Sequence, residues 1–289
     1  MKPTNDNSST DLLSKSLVTQ SLYRLDVSYL GTRYQGFQSQ PSGMGIQDYL
    51  ERALATFCRH PVRITAASRT DAGVHAEGQV VTFKSSAGLN LARIVRSLNA
   101  LLPADIRIKN ATTTDERFHP IINATCKAYR YSIWRVTGES PIVTPYCWIQ
   151  TIPLDVKAMQ KASRVFIGTH DFTSFCAVDS SARSKIRTVR EILILDKCAM
   201  LEVWVLGDGF LKQMVRNMVG ALVAIGKGKI STDDLRQILA AKNRELAPAT
   251  APANGLSLAK VFYGDETTTE SLVQDAKNGY NMSLAGEWM

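Results

Sequence analysis

The stretch "GFLKQMVRNMVGALVAIG", residues 209–226, constrains the fold more than any other part of the chain. Phe210, Leu211, Met214, Val215, Met218, Val219, Leu222, Val223 and Ile225 cover most of the circumference of the helix their spacing predicts. A helix that is apolar nearly all round must be buried. No window reaches the roughly eighteen apolar residues of a bilayer span, so protein rather than lipid has to surround it. One residue resists burial. Arg216 falls midway along the stretch, and a buried, unpaired charge is very costly. It either snorkels outward beside Lys212, one turn earlier, or meets an anion. The second alternative calls for a carboxylate, whose ionised form such a partner favours.

Enough chain exists to enclose that helix. The 289 residues, 45% of them apolar, suggest one large domain or two intimate ones. "LYRLDVSYL" alternates as a strand, and "IQDYLERALATFCRH" aligns Ile46, Leu50, Leu54 and Phe57 on one helix face. "VRITAAS" and "GQVVTF" read as strands, "LARIVRSLNALL" as a helix stopped by Pro103, and "DIRIKNATTT" as a strand. The second half resembles the first in layout. The strand "KAYRYSIWR" precedes the helix "LDVKAMQKASRVFIG"; the strands "IRTVREILILD" and "LEVWVLG" precede the long apolar helix. "STDDLRQILAAK" is a short amphipathic helix, and "LSLAKVFY" a closing strand. Two α+β halves are expected, 22–117 and 118–264, with many antiparallel neighbours. Residues 1–21 read as a disordered polar tail without signal or transit character, and 265–289 as an acidic tail.

The net charge of +8 is unevenly spread. The last 25 residues hold five acids and one lysine, so about +12 remains on the body once they and the neutral first 21 residues are set aside. A body this basic points to a polyanion, with nucleic acid the leading candidate. The five cysteines, Cys58, Cys126, Cys147, Cys176 and Cys198, contain no C-x-x-C pair, which argues against a zinc ribbon or disulfide framework and fits a reducing cytoplasm. Each reads as a small core residue. His60, His75, His119 and His170 show no ligand spacing, so no metal site is expected.

Chemistry concentrates in "ASRTDAGVHAEGQVVTF", Ala67 to Phe83. Asp71 before Ala72-Gly73 is ordinary turn chemistry. A turn, however, needs neither Arg69 nor His75. An Asp71–His75 hydrolytic pair finds no G-x-S-x-G elbow to support it. The Gly-rich loop "GTRYQGFQSQPSGMG" lacks phosphate-loop spacing. On the strand "CKAYRYSIW", Lys127, Tyr129, Tyr131 and Ile133 share one face; Arg130, Ser132 and Trp134 share the other. Tyrosines interleaved with cations suit nucleic acid, since rings stack on bases and cations hold phosphates, although Tyr131 reads better as a core residue. Lys127, Arg130, Arg183, Lys185, Arg187 and Lys212 are the candidate phosphate contacts.

"SRTDAGVHAEGQV" resembles the signature of the TruA family of tRNA pseudouridine synthases, G-R-T-D-A-G-V-H-A-x-G-Q-V. "YLGTRYQGFQSQP", "ATCKAYRYSIW", "GTHDFTSF", "GDGFLKQMVRNMVG" and "APANGLSLAKVFY" extend the resemblance, in order, from Leu22 to about Gly264. Ser68 replaces the common Gly, and Pro120 interrupts the usual "FHAR" stretch. The resemblance implies an α+β pseudouridine synthase fold: two ferredoxin-like halves joined in a mixed, mainly antiparallel sheet with a central cleft. It implies an isomerase without cofactor or metal, a homodimer that binds tRNA, and target uridines at the 3′ side of the anticodon stem-loop. It implies Asp71 as the catalytic carboxylate, acting as nucleophile at the ribose or as base at the sugar. Arg216 matches the arginine paired with that carboxylate, Arg69 a residue that displaces and holds the flipped nucleotide, Tyr129 the tyrosine that packs on the target base, and Leu256 an apolar wall of the uracil pocket. The alternatives are a non-catalytic RNA-binding protein on the same scaffold, or a family member with other RNA targets.

Overall fold

The computed structural model describes residues 20–135 and 141–264. The expected polar tail, up to residue 19, and the acidic segment lie outside the described residues; Gln20 and Ser21 open the first strand. Five α-helices and ten strands follow in mixed order. In the first half these are β1 (Gln20–Tyr29), α1 (Ile46–Cys58), β2 (Ile64–Ala66), β3 (His75–Ser86), α2 (Leu91–Leu101) and β4 (Ile106–Thr114). In the second they are β5 (Ala124–Trp134), β6 (Trp148–Ile149), α3 (Val156–Ser163), β7 (Gly168–Asp171), β8 (Ile186–Lys197), β9 (Met200–Gly207), α4 (Met214–Gly226), α5 (Thr232–Ala241) and β10 (Leu256–Tyr263).

All ten strands join one sheet, in the order β4-β1-β3-β10-β5-β9-β8-β7, with β2 added beside β3 and β6 beside β5. Among the described strands only β10–β3 and β5–β6 are parallel. The last of them in sequence lies at the centre. β10 pairs with β3 through Ser257↔His75 and Leu258↔Ala76, and antiparallel with β5 through Leu258↔Tyr129 and Leu256↔Tyr131. The last described strand therefore joins the end of the Asp71 turn to the tyrosine strand. One continuous apolar core runs through both halves, from Leu25 and Phe83 to Met218 and Leu222. A smaller cluster, Cys126, Ala128, Trp204, Leu206, Ala259 and Phe262, occupies the other face of the central strands.

The helices start where the chain supplies acceptors for free N–H groups. Asn90 accepts from Arg93 ahead of α2, Asp155 from Ala158 ahead of α3, and Ser231 and Asp234 cap α5 reciprocally. The apolar helix is shorter than its hydropathy suggests. Residues 209–213 form a loop ending at Gln213, whose φ of 61° is left-handed, and α4 begins at Met214. Arg216 therefore sits in the first turn rather than midway. The expected helix from Leu154 likewise gives way after Ser163 to a short 3₁₀ turn and then to β7, which periodicity did not reveal. All five cysteines are free; three are buried, but Cys58 is half-buried and Cys198 exposed, at φ 58° in the β8–β9 turn.

Candidate active site

The Asp71 turn spans the gap between β2 and β3. Its base is held by Gln79, which acts as a substitute for strand pairing: its amide accepts from the Ser68 N–H (3.2 Å) and donates to the Ser68 carbonyl (2.7 Å). The Thr70 hydroxyl meets that of Tyr29 at 2.8 Å. The turn closes through Val74 N–H donating to the Asp71 carbonyl, with Gly73 at φ 79°, a conformation that a side chain would strain. Anchored before and after, Asp71 leaves its carboxylate on the outside of a rigid bend.

That carboxylate meets Arg216. The Arg216 guanidinium lies 3.3 Å from Asp71 Oδ2, with side-chain exposures of 15% and 23%. Arg216 Nε donates to the Ala251 carbonyl at 2.8 Å, and Ala251 N–H returns a bond to the Arg216 carbonyl. The guanidinium is thus fixed at one nitrogen by backbone and aimed with another at the acid. This is the second of the two alternatives that the apolar stretch left open. The first turn of α4 contains no acid of its own, so the partner comes from 145 residues away.

His75 is a structural bolt. Its Nδ1 accepts from the Gly31 N–H (3.0 Å), and its Nε2 lies 3.1 Å from the Asn254 carbonyl and 3.3 Å from that of Pro145. Acceptor at one nitrogen and donor at the other define a neutral ring, and burial holds its pKa below the ordinary value. With both nitrogens committed to backbone, no base is left for a hydrolytic Asp71–His75 pair.

On β5 the alternation holds, but the cations are engaged inside the protein. Tyr129 is buried; its hydroxyl meets Ser68 Oγ at 2.8 Å, and Phe210 packs edge-on against its ring at 5.2 Å. Burial, reinforced by the Asp71 charge, pushes the phenol up to about 12. Lys127 Nζ donates to the Ala67 carbonyl at 2.7 Å, and burial, with Arg187 nearby, pushes the ammonium down to about 8. Arg130, on the opposite face, pairs with Glu77 at 2.5 Å and lies over the Trp204 ring. The structure does not bring Arg130 to Asp71. Neither cation is turned to solvent. Tyr131 is fully buried, its hydroxyl donating to the Pro252 carbonyl. Leu256 is buried at the start of β10, opposite Tyr131. Arg69 is exposed and without an ion-pair or hydrogen-bond partner among the described residues, two positions before Asp71.

Asp71–Arg216 and Tyr129–Ser68 are thus two bonded pairs on the same turn, with the Asp71 charge felt at the Tyr129 phenol. Sequence reasoning missed Gln79, the bolting role of His75, and Ala251. Alternation marked Gln79 only as an interior strand position, and nothing in a linear pattern points to a backbone carbonyl.

Residues 27–121 and 162–264 match the family model described as tRNA pseudouridine synthase. Arg69 and Asp71 lie in the first matched segment and Arg216 and Leu256 in the second; Tyr129 falls between them. The chain belongs to this family, whose members are isomerases. Among curated relatives, tRNA pseudouridine synthase A of Exiguobacterium sp. is 42% identical over 240 residues, covering 83% of this chain and 97% of that one. The protein of the same name from Bacillus licheniformis is 42% identical over 241 residues, covering 82% and 97%. A solved Cbf5-Nop10-Gar1 complex overlaps 70% of this chain at 12% identity and TM-score 0.33; this chain spans 45% of that one, and at that score the likeness adds nothing to the assignment.

Proposed function

We propose that this protein isomerises uridine to pseudouridine in tRNA, at the 3′ side of the anticodon stem-loop, with Asp71 as the catalytic carboxylate. The observation that carries the reading is the Asp71–Arg216 pair: a carboxylate on a rigid turn, held by a guanidinium that is itself fixed to the Ala251 backbone. The reaction breaks the bond from uracil N1 to ribose C1′, turns the base, and joins C5 to C1′. An ionised carboxylate beside C1′ serves as nucleophile, or as base at the sugar, and the adjacent guanidinium holds it in position. Arg69, exposed beside Asp71, takes the place of the extruded nucleotide; Tyr129 packs on the uracil and Leu256 closes its pocket. Extrusion from a stem costs a few kcal/mol. The protein acts as a homodimer, without metal or cofactor, as the family resemblance implies, and in a reducing cytoplasm, as its unpaired cysteines suggest.

The test follows from the bond made at C5, which expels the hydrogen there. tRNA carrying tritium at uridine C5 is expected to release it to water with the native enzyme. Asp71→Asn, similar in size but without the anionic oxygen, is expected to lose roughly four orders of magnitude in turnover while folding and tRNA binding survive. Sustained release by a clean Asp71→Asn preparation overturns the assignment. Absence of release by the native enzyme, with binding intact, favours the non-catalytic RNA-binding alternative.

A further inference from the structure

Behind Arg216 lies a second guanidinium that the reaction itself does not use. Arg244 follows α5 and is half-buried. Its NH1 donates to the carbonyls of Ala247 (3.0 Å) and Pro248 (3.1 Å). Its NH2 donates to Thr250 Oγ1 (2.9 Å) and Asn217 Oδ1 (3.1 Å). Thr250 Oγ1 in turn donates to Asn217 Oδ1 (2.7 Å), and Asn217 Nδ2 to the Phe175 carbonyl (2.9 Å). Every partner is a neutral oxygen, and no carboxylate pairs with Arg244 among the described residues. Burial without a counter-charge lowers its pKa and costs solvation.

What this network holds is the segment 247–251, which it presses onto the start of α4. Asn217 is fully buried, the one polar residue besides Arg216 in an apolar helix, and adjoins it. Thr250 adjoins Ala251, whose carbonyl fixes Arg216 Nε. The segment runs so close to α4 that a Cβ on Gly220 would meet the Ala249 carbonyl oxygen at 2.1 Å. Arg244 therefore clamps both ends of the contact that aims Arg216. A single fork reaches the helix through Asn217 and the strap through Thr250, Ala247 and Pro248, a geometry suited to a planar guanidinium and not to an ammonium.

We infer that Arg244 is a positioning residue for the reaction: it acts on Asp71 through Arg216 by fixing the 247–251 strap, with Asn217 and Thr250 as its intermediaries. This rests on the role proposed for the Asp71–Arg216 pair. A bond angle or distance lost at Ala251 changes where the guanidinium sits against Asp71, without touching RNA.

The experiment is a double-mutant cycle on full-length protein, read by single-turnover tritium release from C5-labelled tRNA with tRNA affinity measured alongside. Arg244→Lys is expected to lose about tenfold in rate, the ordinary size of coupling within one shared network, with tRNA affinity little changed. Thr250→Val, which removes the hydroxyl's two bonds, to Arg244 and to Asn217, and little volume, is expected to show a smaller loss of the same kind. The decisive arm places both changes in an Arg216→Lys background. There each is expected to cost little further, since the group they aim is already gone. Losses that add fully in that background, or a loss of affinity matching the loss of rate, overturn the inference. So does full activity of a folded Arg244→Lys enzyme. If Arg244→Lys fails to fold, Thr250→Val gives the same decision. Failure of the proposed activity is separable, because native enzyme would then release no tritium.

Discussion

At the scale of single residues, Tyr129 separates two contributions that one side chain can make. Its hydroxyl is spent on Ser68, three residues before Asp71, so it ties β5 to the Asp71 turn. Its ring is the flat surface proposed for the uracil, and in the structure Phe210 stands edge-on to it. Tyr129→Phe removes only the tie, worth about 1 kcal/mol for one hydrogen bond. Its rate of tritium release is expected to fall by less than about tenfold. Tyr129→Leu removes the π-face as well and is expected to lose considerably more, in rate and in affinity for tRNA, because stacking depends on ring area. Equal losses for the two variants remove the ring from the account. A large loss of rate in Tyr129→Phe with affinity intact makes the hydroxyl an acid–base group instead. The phenol is held far toward its neutral form by burial, which already disfavours its acting as a base.

At the scale of elements, His75 joins three segments that meet only in the folded chain. It starts β3, holds the Gly31 backbone after β1, and holds the Asn254 and Pro145 carbonyls before β10 and β6. Because burial lowers its folded pKa below 6.5, the neutral ring contributes stability that is fully present above about pH 6.5 and is lost as pH falls through the folded value. Protonation would put a second N–H against the Gly31 N–H. The charged groups nearest it, Glu77 and Arg130, are paired with each other. Denaturant unfolding at pH 7 and pH 5 is expected to show the native protein's advantage over His75→Gln shrinking on acidification. An advantage that stays constant removes His75 as the titrating group. This bolt shows what a linear reading can and cannot see. The alternation of β1 and the apolar face of α1 survive as written, because burial imposes period 2 or 3.6 directly on residue type, whereas β5 and β10 are buried on both faces. The start of α4 did not, because Leu211 is buried in a loop as well as it would be in a helix. Asp71 and Arg216 could be picked out as a carboxylate in a crowded turn and a charge in an apolar helix. The contacts that fix them and the turn around them are with the backbone of Ser68, Gly31 and Ala251, and no residue type encodes a backbone N–H or carbonyl.

At the scale of the whole molecule, the sign of the charge counts less than which cations are free. The net +8 predicts attraction to a polyanion, and composition alone made Lys127 and Arg130 as good contacts as any. Folding divides the candidates. Lys127 is spent on Ala67 and Arg130 on Glu77. Arg69 and Arg183 are exposed without ion-pair or hydrogen-bond partners among the described residues. Lys185 and Arg187 donate only to carbonyls of their own loop. Lys212 pairs with the exposed Asp179, a partner easily exchanged for phosphate, and stands four residues before Arg216. These five cations lie on the Asp71 turn, on the segment before and at the start of β8, and just ahead of α4, so RNA reaching Asp71 would pass along them. Each phosphate neutralised releases counterions, and a plot of log affinity against log salt for native protein and tRNA is expected to have a slope of about −4. Arg183→Ala is expected to make that slope shallower by about one and to weaken binding for every tRNA alike. Lys127→Met is expected to leave the slope unchanged, because its ammonium is already hydrogen-bonded inside the protein. A flat native plot refutes the electrostatic account. A slope that responds to Lys127→Met and not to Arg183→Ala means that RNA binding reorganises β5 and draws Lys127 away from the turn it holds.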